Sequence, residues 1–186
     1  GGTIKQMATL ACLCLYAPVA PGIREMMMKY CTMQSPIGSL LLAGQSDALA
    51  LIGFPEGKGR VEPGEDWDHD PSAFCAAIRQ LEEYFAGKRK TFDLPLAPAG
   101  TEFQKQVWEA LRGIPYGQTC SYQAIAGTIG RPKAVRAVGA ANGKNPLPII
   151  VPCHRVIGAD GSLTGFGGGL AAKSYLLNLE SGGLFD

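Results

Sequence analysis

The sequence predicts an α+β fold in two parts: a small antiparallel sheet with one helix, and then a mostly helical domain. In the first half, three short apolar runs alternate with turn residues, which indicates an antiparallel meander. In the second half, apolar residues recur at helical spacing between tight breaks that contain glycine. Strands followed by helices, without regular alternation, are typical of the α+β class.

The first domain is predicted to cover residues 29–94. Its strands are expected at 29–34, 39–43 and 48–54. A loop rich in glycine, proline and acidic residues occupies 55–70, and a helix with apolar residues every three or four positions runs from Pro71 to Phe85. We expect these apolar residues to pack in the core, and nothing in this domain indicates catalysis.

We interpret residues 1–28 as an N-terminal extension and expect it to be disordered. The apolar run at 9–20 weakly imitates a secretory signal, which is the alternative interpretation. Against a signal, only Lys5 supplies a positive charge before the run, and Pro18 interrupts it. The run is also too short to span a bilayer, so we expect no association with a membrane.

Residues 95–100 contain two prolines and are interpreted as a linker to the second domain, 101–186. Within that domain Ser121 caps a short helix, and after a turn at Gly130 an alanine-rich helix is expected over 133–142. Two short helices joined by a tight turn predict a helix-turn-helix, although a generic helical hairpin fits the same pattern.

The distribution of charge favours an anionic partner. The net charge of the chain is only +1, but no acidic residue occurs between positions 110 and 159. The same segment contains six basic residues, Arg112, Arg131, Lys133, Arg136, Lys144 and Arg155. Such a segment is typical of nucleic-acid binding, although a solvated basic surface would produce the same charge.

The cysteines do not form a recognisable set. They are Cys12, Cys14, Cys31, Cys75, Cys120 and Cys153. Their spacing matches neither a disulfide framework nor a zinc site, and with two histidines no four-ligand cluster is evident, so we predict no metal. Scattered free thiols favour a reducing compartment, and we therefore expect a cytoplasmic protein.

Cys153 is the candidate nucleophile. It follows the apolar run 149–151, which predicts a buried strand or the approach to one, and Pro152 fixes the backbone just before it. A buried cysteine is usually a small hydrophobic residue. The adjacent His154 indicates more, because pairing with histidine raises the thiolate fraction. Neighbours on an extended chain point to opposite sides, so we expect His154 to act through water or through another residue.

The stretch around Cys153 is part of a longer pattern. It consists of Asn145-Pro146, Pro152-Cys153-His154-Arg155-Val156, a glycine-rich turn, and Leu176-Leu177 with Glu180. The pattern closely resembles the O6-alkylguanine-DNA alkyltransferases, also called methylated-DNA–protein-cysteine methyltransferases. The resemblance is strong over 101–180 and looser over 30–100. It implies a ribonuclease-H-like first domain and a winged helix-turn-helix-like second domain.

Four catalytic residues are expected. In the logic of a triad, Cys153 is the nucleophile, His154 is the base, and Glu180 orients the imidazole. The resemblance places the same three residues in one network and adds Asn145 in the turn that supports the site. Without the resemblance, a glutamate at the end of a terminal helix, here predicted over 170–179, would be interpreted as solvated surface.

The resemblance also implies a DNA-binding surface and a pocket. Tyr122 matches the tyrosine that helps to turn the nucleotide out of the duplex, and Arg136 matches the arginine that fills the space left behind. The other residues expected to contact DNA are Gln123, Arg131 and Lys133. The expected pocket residues are Val156, Phe166 and Gly167. Phe166 stands where relatives have tyrosine, so stacking on a base is retained and a hydroxyl contact is lost.

The function implied by the resemblance is DNA repair by a protein that acts once. The alkyl group of O6-alkylguanine in double-stranded DNA, and also that of O4-methylthymine, passes to Cys153 without a cofactor, and the protein works as a monomer. Two alternatives stay open at this point. One is a non-catalytic protein that binds alkyl lesions in the same groove, and the other is an unrelated cysteine hydrolase with Cys153, His154 and Glu180 as its triad.

Overall fold

The computed structural model describes residues 27–184, and it confirms the predicted α+β architecture. The first domain begins with three antiparallel strands, β1 (Lys29–Ser35), β2 (Gly38–Gln45) and β3 (Ala48–Gly53). Each predicted strand is present, with its ends displaced by no more than two residues. Apart from its last two residues, the extension at 1–28 lies outside the described residues, so its disorder stays a prediction.

The sheet contains a fourth strand that the sequence pattern does not predict. This strand, β4 (Asp68–His69), pairs in parallel with β1, so that the sheet order is β3-β2-β1-β4. It lies in the acidic loop, where two exposed residues carry no alternation of apolar and polar positions. Strand β4 places the end of the loop directly before the helix of this domain.

One helix packs on the sheet of the first domain. It starts as a 3-10 turn at Pro71–Phe74 and continues as α1 (Cys75–Phe85). Leu81 and Tyr84 of this helix are fully buried, as is Leu40 of the sheet. The burial of these side chains confirms the expected core helix. Burial of apolar surface is the main favourable contribution to folding. Tyr84 also brings a polar hydroxyl into this interior.

The predicted linker is an ordered part of the sheet edge. Leu49 of β3 donates its backbone N–H to the carbonyl of Pro95 at 2.9 Å and accepts from the N–H of Ala97 at 2.9 Å. The same strand also contacts the second domain, because the N–H of Ile52 donates to the carbonyl of Pro146 at 2.8 Å. The two domains are therefore joined along β3.

The second domain is mostly helical, as predicted. Its elements are α2 (Glu102–Arg112), β5 (Cys120–Ser121), α3 (Tyr122–Thr128), α4 (Val135–Gly143), β6 (Val156–Ile157) and α5 (Gly169–Ser181). Thr101 and Gln104 form a capping box at the start of α2. The indole Nε1 of Trp108 donates to the carbonyl of Ala141 at 2.9 Å and holds α2 against α4. No helix in the described part of the chain is long and apolar enough to cross a membrane.

Helices α3 and α4 and the turn between them form the predicted helix-turn-helix. Ser121 caps α3 through its side-chain oxygen, as expected. Gly130 has a φ of +70°, a left-handed conformation that suits glycine and lets the chain reverse. Helix α4 begins at Val135, two residues later than predicted, because Ala134 still donates its N–H to the carbonyl of Arg131 in the turn, at 2.9 Å.

Strands β5 and β6 form a small parallel pair that positions the candidate site. Cys120 lies opposite Val156, and Ser121 lies opposite Ile157. Strand β5 leads directly into α3, and β6 directly follows the Cys153 segment. The start of the helix-turn-helix and the candidate nucleophile are therefore held next to each other.

Candidate active site

The loop before Cys153 is strained and is held by one side chain. The amide of Asn145 donates to the carbonyl of Val151 at 2.8 Å, and its oxygen accepts from the N–H of Leu147 at 3.0 Å. Between these contacts Ile149 is fully buried with a φ of +76°, which is unfavourable for a β-branched residue. Such a conformation persists only where its surroundings fix it. This segment therefore forms a turn that leads to Cys153, so the predicted strand is wrong and the alternative, the approach to a strand, fits better.

The thiol of Cys153 is buried and protonated at rest. Residues 153–155 form a 3-10 turn, so the assumption of an extended chain is wrong here. Nδ1 of His154 nevertheless has no hydrogen bond to the thiol, in agreement with the expectation that the two side chains do not contact directly. Burial raises the pKa of the Cys153 thiol to about 11, and the side chain of Asn145 and the charge of Lys173 oppose this rise without cancelling it. Because the thiolate is the nucleophile, the site needs a group that takes up the proton.

Glu180 is buried inside α5, with 8% of its surface exposed. Its Oε1 accepts from the hydroxyl of Tyr84 at 2.6 Å, from Nε2 of His154 at 2.8 Å and from Nη2 of Arg155 at 2.9 Å. Its Oε2 accepts from Nε of Arg155 at 2.8 Å and from the N–H of Gly117 at 3.2 Å. Burial alone would raise the pKa of Glu180, but these hydrogen bonds and charges outweigh it and hold the pKa well below its usual range.

The ionised carboxylate of Glu180 determines the state of His154. Since a carboxylate only accepts hydrogen bonds, Nε2 of His154 carries the proton, and Nδ1 is the free base nitrogen. Nδ1 is buried and has no hydrogen-bond partner among the protein atoms of residues 27–184. Burial lowers the pKa of His154, although Glu180 acts in the opposite direction. A neutral imidazole with one free nitrogen is suited to accept a proton.

Arg155 lies inside the domain, so including it among the bases that face an anionic partner was wrong. Its Nη1 donates to the carbonyl of Ile114 at 2.6 Å, and its guanidinium lies 5.8 Å from the centre of the Tyr116 ring. With two nitrogens on Glu180 it forms the bidentate pair that guanidinium and carboxylate prefer. The sequence shows only a basic residue after the Cys-His pair and carries no signal for this partner.

Lys173 of α5 is a second polar residue that sequence reasoning missed. It is fully buried, and its Nζ donates to the carbonyl of Val156 at 2.6 Å and to that of Thr164 at 3.0 Å. Burial lowers the pKa of Lys173, and the nearby Cys153 opposes the shift. The side chain therefore connects β6 with the glycine-rich loop that precedes α5.

A helical spacing in the sequence could have revealed that Lys173 and Glu180 are buried. Three residues follow Lys173 at helical spacing: Leu176, Leu177 and Glu180 lie three, four and seven positions after it. This spacing places all four on one face of a helix. The two leucines are fully or almost fully buried. Charged residues on such a face are expensive to bury unless they are paired, so their presence is itself a sign of a polar network.

A cavity of about 340 Å³ lies beside Cys153 between the two domains. The second domain contributes Asn142, Asn145, Pro146, Pro148, Phe166 and Gly167, and the first contributes Leu51, Ile52, Phe54, Lys58, Gly59 and Val61. Two of the three predicted pocket residues, Phe166 and Gly167, line this cavity. The third, Val156, does not line it and is fully buried in β6.

The first domain forms one wall of this site, a role that its sequence pattern did not indicate. The N–H of Gly59 donates to the carbonyl of Gly167 at 2.9 Å. The ring of Phe54 packs edge-to-face on Phe166, with 5.3 Å between the ring centres. A Cβ atom added at Gly59 or at Gly168 would come within 2.8 Å of the Phe54 ring, so this close approach requires glycine.

A second cavity lies between the helix-turn-helix and the first cavity. It has a volume of about 480 Å³, is lined by Tyr122, Gly139 and Leu170, and shares Phe166 and Gly167 with the first cavity. The hydroxyl of Tyr122 lies 2.7 Å from Oγ1 of Thr164 and is fixed at the cavity wall. The two cavities are therefore neighbours on either side of Phe166 and Gly167, and Cys153 lines the first of them.

The predicted basic residues are exposed on the turn and on α4. Arg131, Lys133 and Arg136 all lie in the helix-turn-helix and face solvent. Gln123 is also exposed, but its Nε2 donates to the carbonyl of Pro132 at 3.0 Å, so it stabilises the turn. The structure therefore places these four residues in the helix-turn-helix, with their side chains exposed.

Two family models match the chain. The 6-O-methylguanine DNA methyltransferase ribonuclease-like domain matches residues 28–98, and the 6-O-methylguanine DNA methyltransferase DNA binding domain matches residues 102–182. The chain belongs to this family. The two matches cover both domains, and they confirm the resemblance that the Cys153 motif indicates.

Similar 6-O-methylguanine DNA methyltransferases match over most of their length. The methylated-DNA–protein-cysteine methyltransferase of Methanosarcina acetivorans is 56% identical over 153 residues, which are 82% of this chain and 98% of that protein. That of Mycobacterium tuberculosis is 54% identical over 155 residues, 83% of this chain and 93% of that protein.

Solved structures of the family have the same fold. The crystal structure of the Mycobacterium tuberculosis O6-methylguanine methyltransferase matches with a TM-score of 0.78 and 53% identity, over 84% of this chain and 94% of that one. That of Mycobacterium tuberculosis OGT in complex with DNA matches with a TM-score of 0.78 and 52% identity, over 83% and 93%. The chain is therefore a DNA-binding methyltransferase that uses a cysteine as acceptor, and neither alternative class is favoured.

Proposed function

We propose that this protein repairs O6-alkylguanine in double-stranded DNA by moving the alkyl group onto Cys153. One observation carries the proposal: the Cys153 thiol borders a cavity and is followed directly by a neutral His154, which an ionised Glu180 holds at 2.8 Å. A nucleophile, a base and an orienting group are the parts that nucleophilic catalysis needs.

The reaction is a displacement at the alkyl carbon. The proton of the Cys153 thiol passes through water to Nδ1 of His154, and the thiolate attacks the carbon in line. The S–C bond forms while the C–O6 bond breaks, and the electron pair of that bond stays on guanine. The Tyr122 hydroxyl is the candidate donor of the proton that neutralises guanine. The thioether is not hydrolysed, so each molecule acts once.

The helix-turn-helix delivers the base to Cys153. The O6 position lies within the base stack, so the nucleotide has to leave the duplex, at a cost of a few kcal/mol. Arg136 on α4 is exposed and fills the space that the extruded nucleotide leaves in the duplex. Arg131, Lys133 and Gln123 contact the DNA backbone. Helix α4 carries three alanine or glycine residues between Val135 and Ala141, which permits close approach to the minor groove. Readout there is degenerate, which suits repair at any sequence.

The pocket binds the extruded base between the two domains. Phe166 stacks on the base, and Gly167 presents its backbone to the base edge, while Val156 supports this wall from β6. O4-methylthymine, which also carries an alkyl group on a ring oxygen, is a second substrate. We further propose that the protein acts as a cytoplasmic monomer without a cofactor.

Intact-protein mass spectrometry tests the proposal. One equivalent of a duplex that contains O6-methylguanine should add one methyl group in place of a proton to the wild-type protein and none to Cys153→Ala. Cys120→Ala, which removes another partly buried cysteine, is the matched control and should still be methylated. Several turnovers per molecule, or methylation of Cys153→Ala, would contradict the proposal. Tight binding without methylation would indicate a lesion-binding protein.

A further inference from the structure

Tyr84 connects the first domain with the catalytic carboxylate. It is fully buried on α1, and its hydroxyl donates to Oε1 of Glu180 at 2.6 Å. Such a short hydrogen bond to an ionised oxygen is among the strong ones. The Tyr84 ring is fixed by Phe85, Phe92 and Tyr116, whose ring centres lie 5.5, 5.5 and 6.2 Å away. A packed aromatic cluster therefore holds the hydroxyl on the carboxylate.

The carboxylate does not need Tyr84 for its orientation. Arg155 binds both oxygens of Glu180, and the N–H of Gly117 also binds Oε2. What Tyr84 adds is a further donor on Oε1, the oxygen that Nε2 of His154 contacts. Each donor stabilises the negative charge on that oxygen and reduces the attraction left for a positively charged imidazole.

We propose that Tyr84 is a positioning residue through which the first domain limits the proton affinity of His154 and so keeps Cys153 a thiol at rest. The roles of Cys153 and His154 in this statement rest on the proposed function. The other charged groups that act on His154 are Glu180, Arg155 and Lys173. Tyr116 also lies near the carboxylate, but its hydroxyl binds the carbonyl of Leu179 and not Glu180. Arg155 and Lys173 oppose a positive charge on His154 in the same direction as the Tyr84 hydroxyl.

Loss of the hydroxyl has a specific kinetic signature. A His154 with higher proton affinity takes the proton of Cys153 more readily, so the pH-independent rate of alkyl transfer rises. At low pH the rate falls as His154 becomes protonated, and this part of the profile is the acid limb. Its midpoint moves to higher pH by the logarithm of the same factor. In the acid limb itself the rates coincide, because His154 is protonated in both proteins. A merely loosened site would instead slow transfer at every pH and leave the midpoint in place.

The variant Tyr84→Phe tests this, because it removes the hydroxyl and keeps the ring. We expect the pKa of His154, followed by NMR of the imidazole without DNA, to rise. The only other histidine, His69, is exposed on β4, so the two signals are separable. We expect the pH-independent rate to rise about threefold to tenfold. This factor corresponds to part of the free energy that a hydrogen bond to a charged group contributes.

Tyr116→Phe is the matched control. It removes a hydroxyl from the same aromatic cluster, but that hydroxyl lies 3.4 Å from the carbonyl of Leu179 and does not bind Glu180. We expect it to leave the pKa of His154 and the pH profile unchanged. Equal shifts in both tyrosine variants, or an unchanged His154 pKa in Tyr84→Phe, would overturn the proposal.

A second measurement decides the matter if Tyr84→Phe folds poorly. Replacing every tyrosine by 3-fluorotyrosine keeps the rings and makes each hydroxyl a stronger donor. The pKa of His154 should then fall in the wild-type sequence, opposite to the effect of Tyr84→Phe, and an unchanged value would contradict the proposal. Because this pKa is measured without DNA, it tests Tyr84 even if no alkyl group reaches Cys153.

Discussion

Two groups of charged residues in this molecule obey different physical rules. The Glu180 cluster (Glu180, His154, Arg155 and Tyr84) is buried, and the other three members all bind the Glu180 carboxylate. The basic surface (Arg131, Lys133 and Arg136) is exposed to solvent. In the cluster, loss of Arg155 would leave the charge of the Glu180 carboxylate buried without its cation, in a medium of low dielectric constant. On the surface, water and salt screen each charge, so its loss stays local.

The largest difference should appear in stability. Arg155→Met keeps the length of the side chain but leaves the Glu180 carboxylate buried without its cation, which should lower the free energy of unfolding by about 3–5 kcal/mol. Arg131→Met removes an exposed guanidinium and should leave that free energy nearly unchanged. Urea unfolding of both variants at neutral pH measures the difference. Similar losses would show that the two groups of residues do not differ as described.

The next effect separates chemistry from binding. Glu180→Gln removes the negative charge that supports a protonated His154, so alkyl transfer should slow by about 10²-fold. Affinity for duplex DNA should stay nearly the same, because the basic surface is intact. Single-turnover kinetics and equilibrium binding measure the two quantities. Glu109→Gln, an exposed carboxylate on α2, is the control. An unchanged rate in Glu180→Gln would remove Glu180 from the proposed triad.

The smallest effect concerns the basic surface. Arg136→Ala should slow repair in duplex DNA about tenfold, of the order of one lost base-stacking contact. Reaction with the free O6-alkylguanine base should be unaffected, since no gap has to be filled. Lys133→Ala is the control: it should weaken duplex binding and its salt dependence, and leave the rate at saturating DNA unchanged. Equal losses on duplex and free base for Arg136→Ala would indicate damage to the fold.

Local patterns predicted most of the fold. The three strands of the meander and the helix-turn-helix follow from alternation, turn residues and caps, and these signals act over a few residues. Strand β4 carries no such signal, because its two exposed residues show no alternation of apolar and polar positions. The turn at Ile149 is another exception, since an apolar β-branched run predicts a strand and tertiary contacts impose a positive φ instead.

The sequence predicted the catalytic motif of the candidate site but not the contacts that hold it in place. Cys153, His154 and Glu180 follow from chemistry and resemblance. Tyr84 lies 96 positions before Glu180, and no periodicity relates the two. Gly59 was predicted only as part of a loop rich in glycine, proline and acidic residues, whereas its N–H binds the backbone carbonyl of Gly167. Contacts between domains depend on how elements pack, which a single sequence does not encode locally.

The pH dependence of single-turnover alkyl transfer tests the central claim, that His154 takes the Cys153 proton, most directly. In the wild type the proton moves from Cys153 to His154, so no proton is released to solvent. The rate should therefore be flat above the pKa of His154, which burial lowers, and up to the Cys153 pKa of about 11. Below this plateau it should fall as His154 becomes protonated.

His154→Gln completes the test, because glutamine still donates to Glu180 but accepts no proton. Its rate should rise about tenfold per pH unit through neutrality, since Cys153 then ionises only to solvent. A flat profile for His154→Gln, or a wild-type rate that rises tenfold per pH unit through neutrality, would contradict the account.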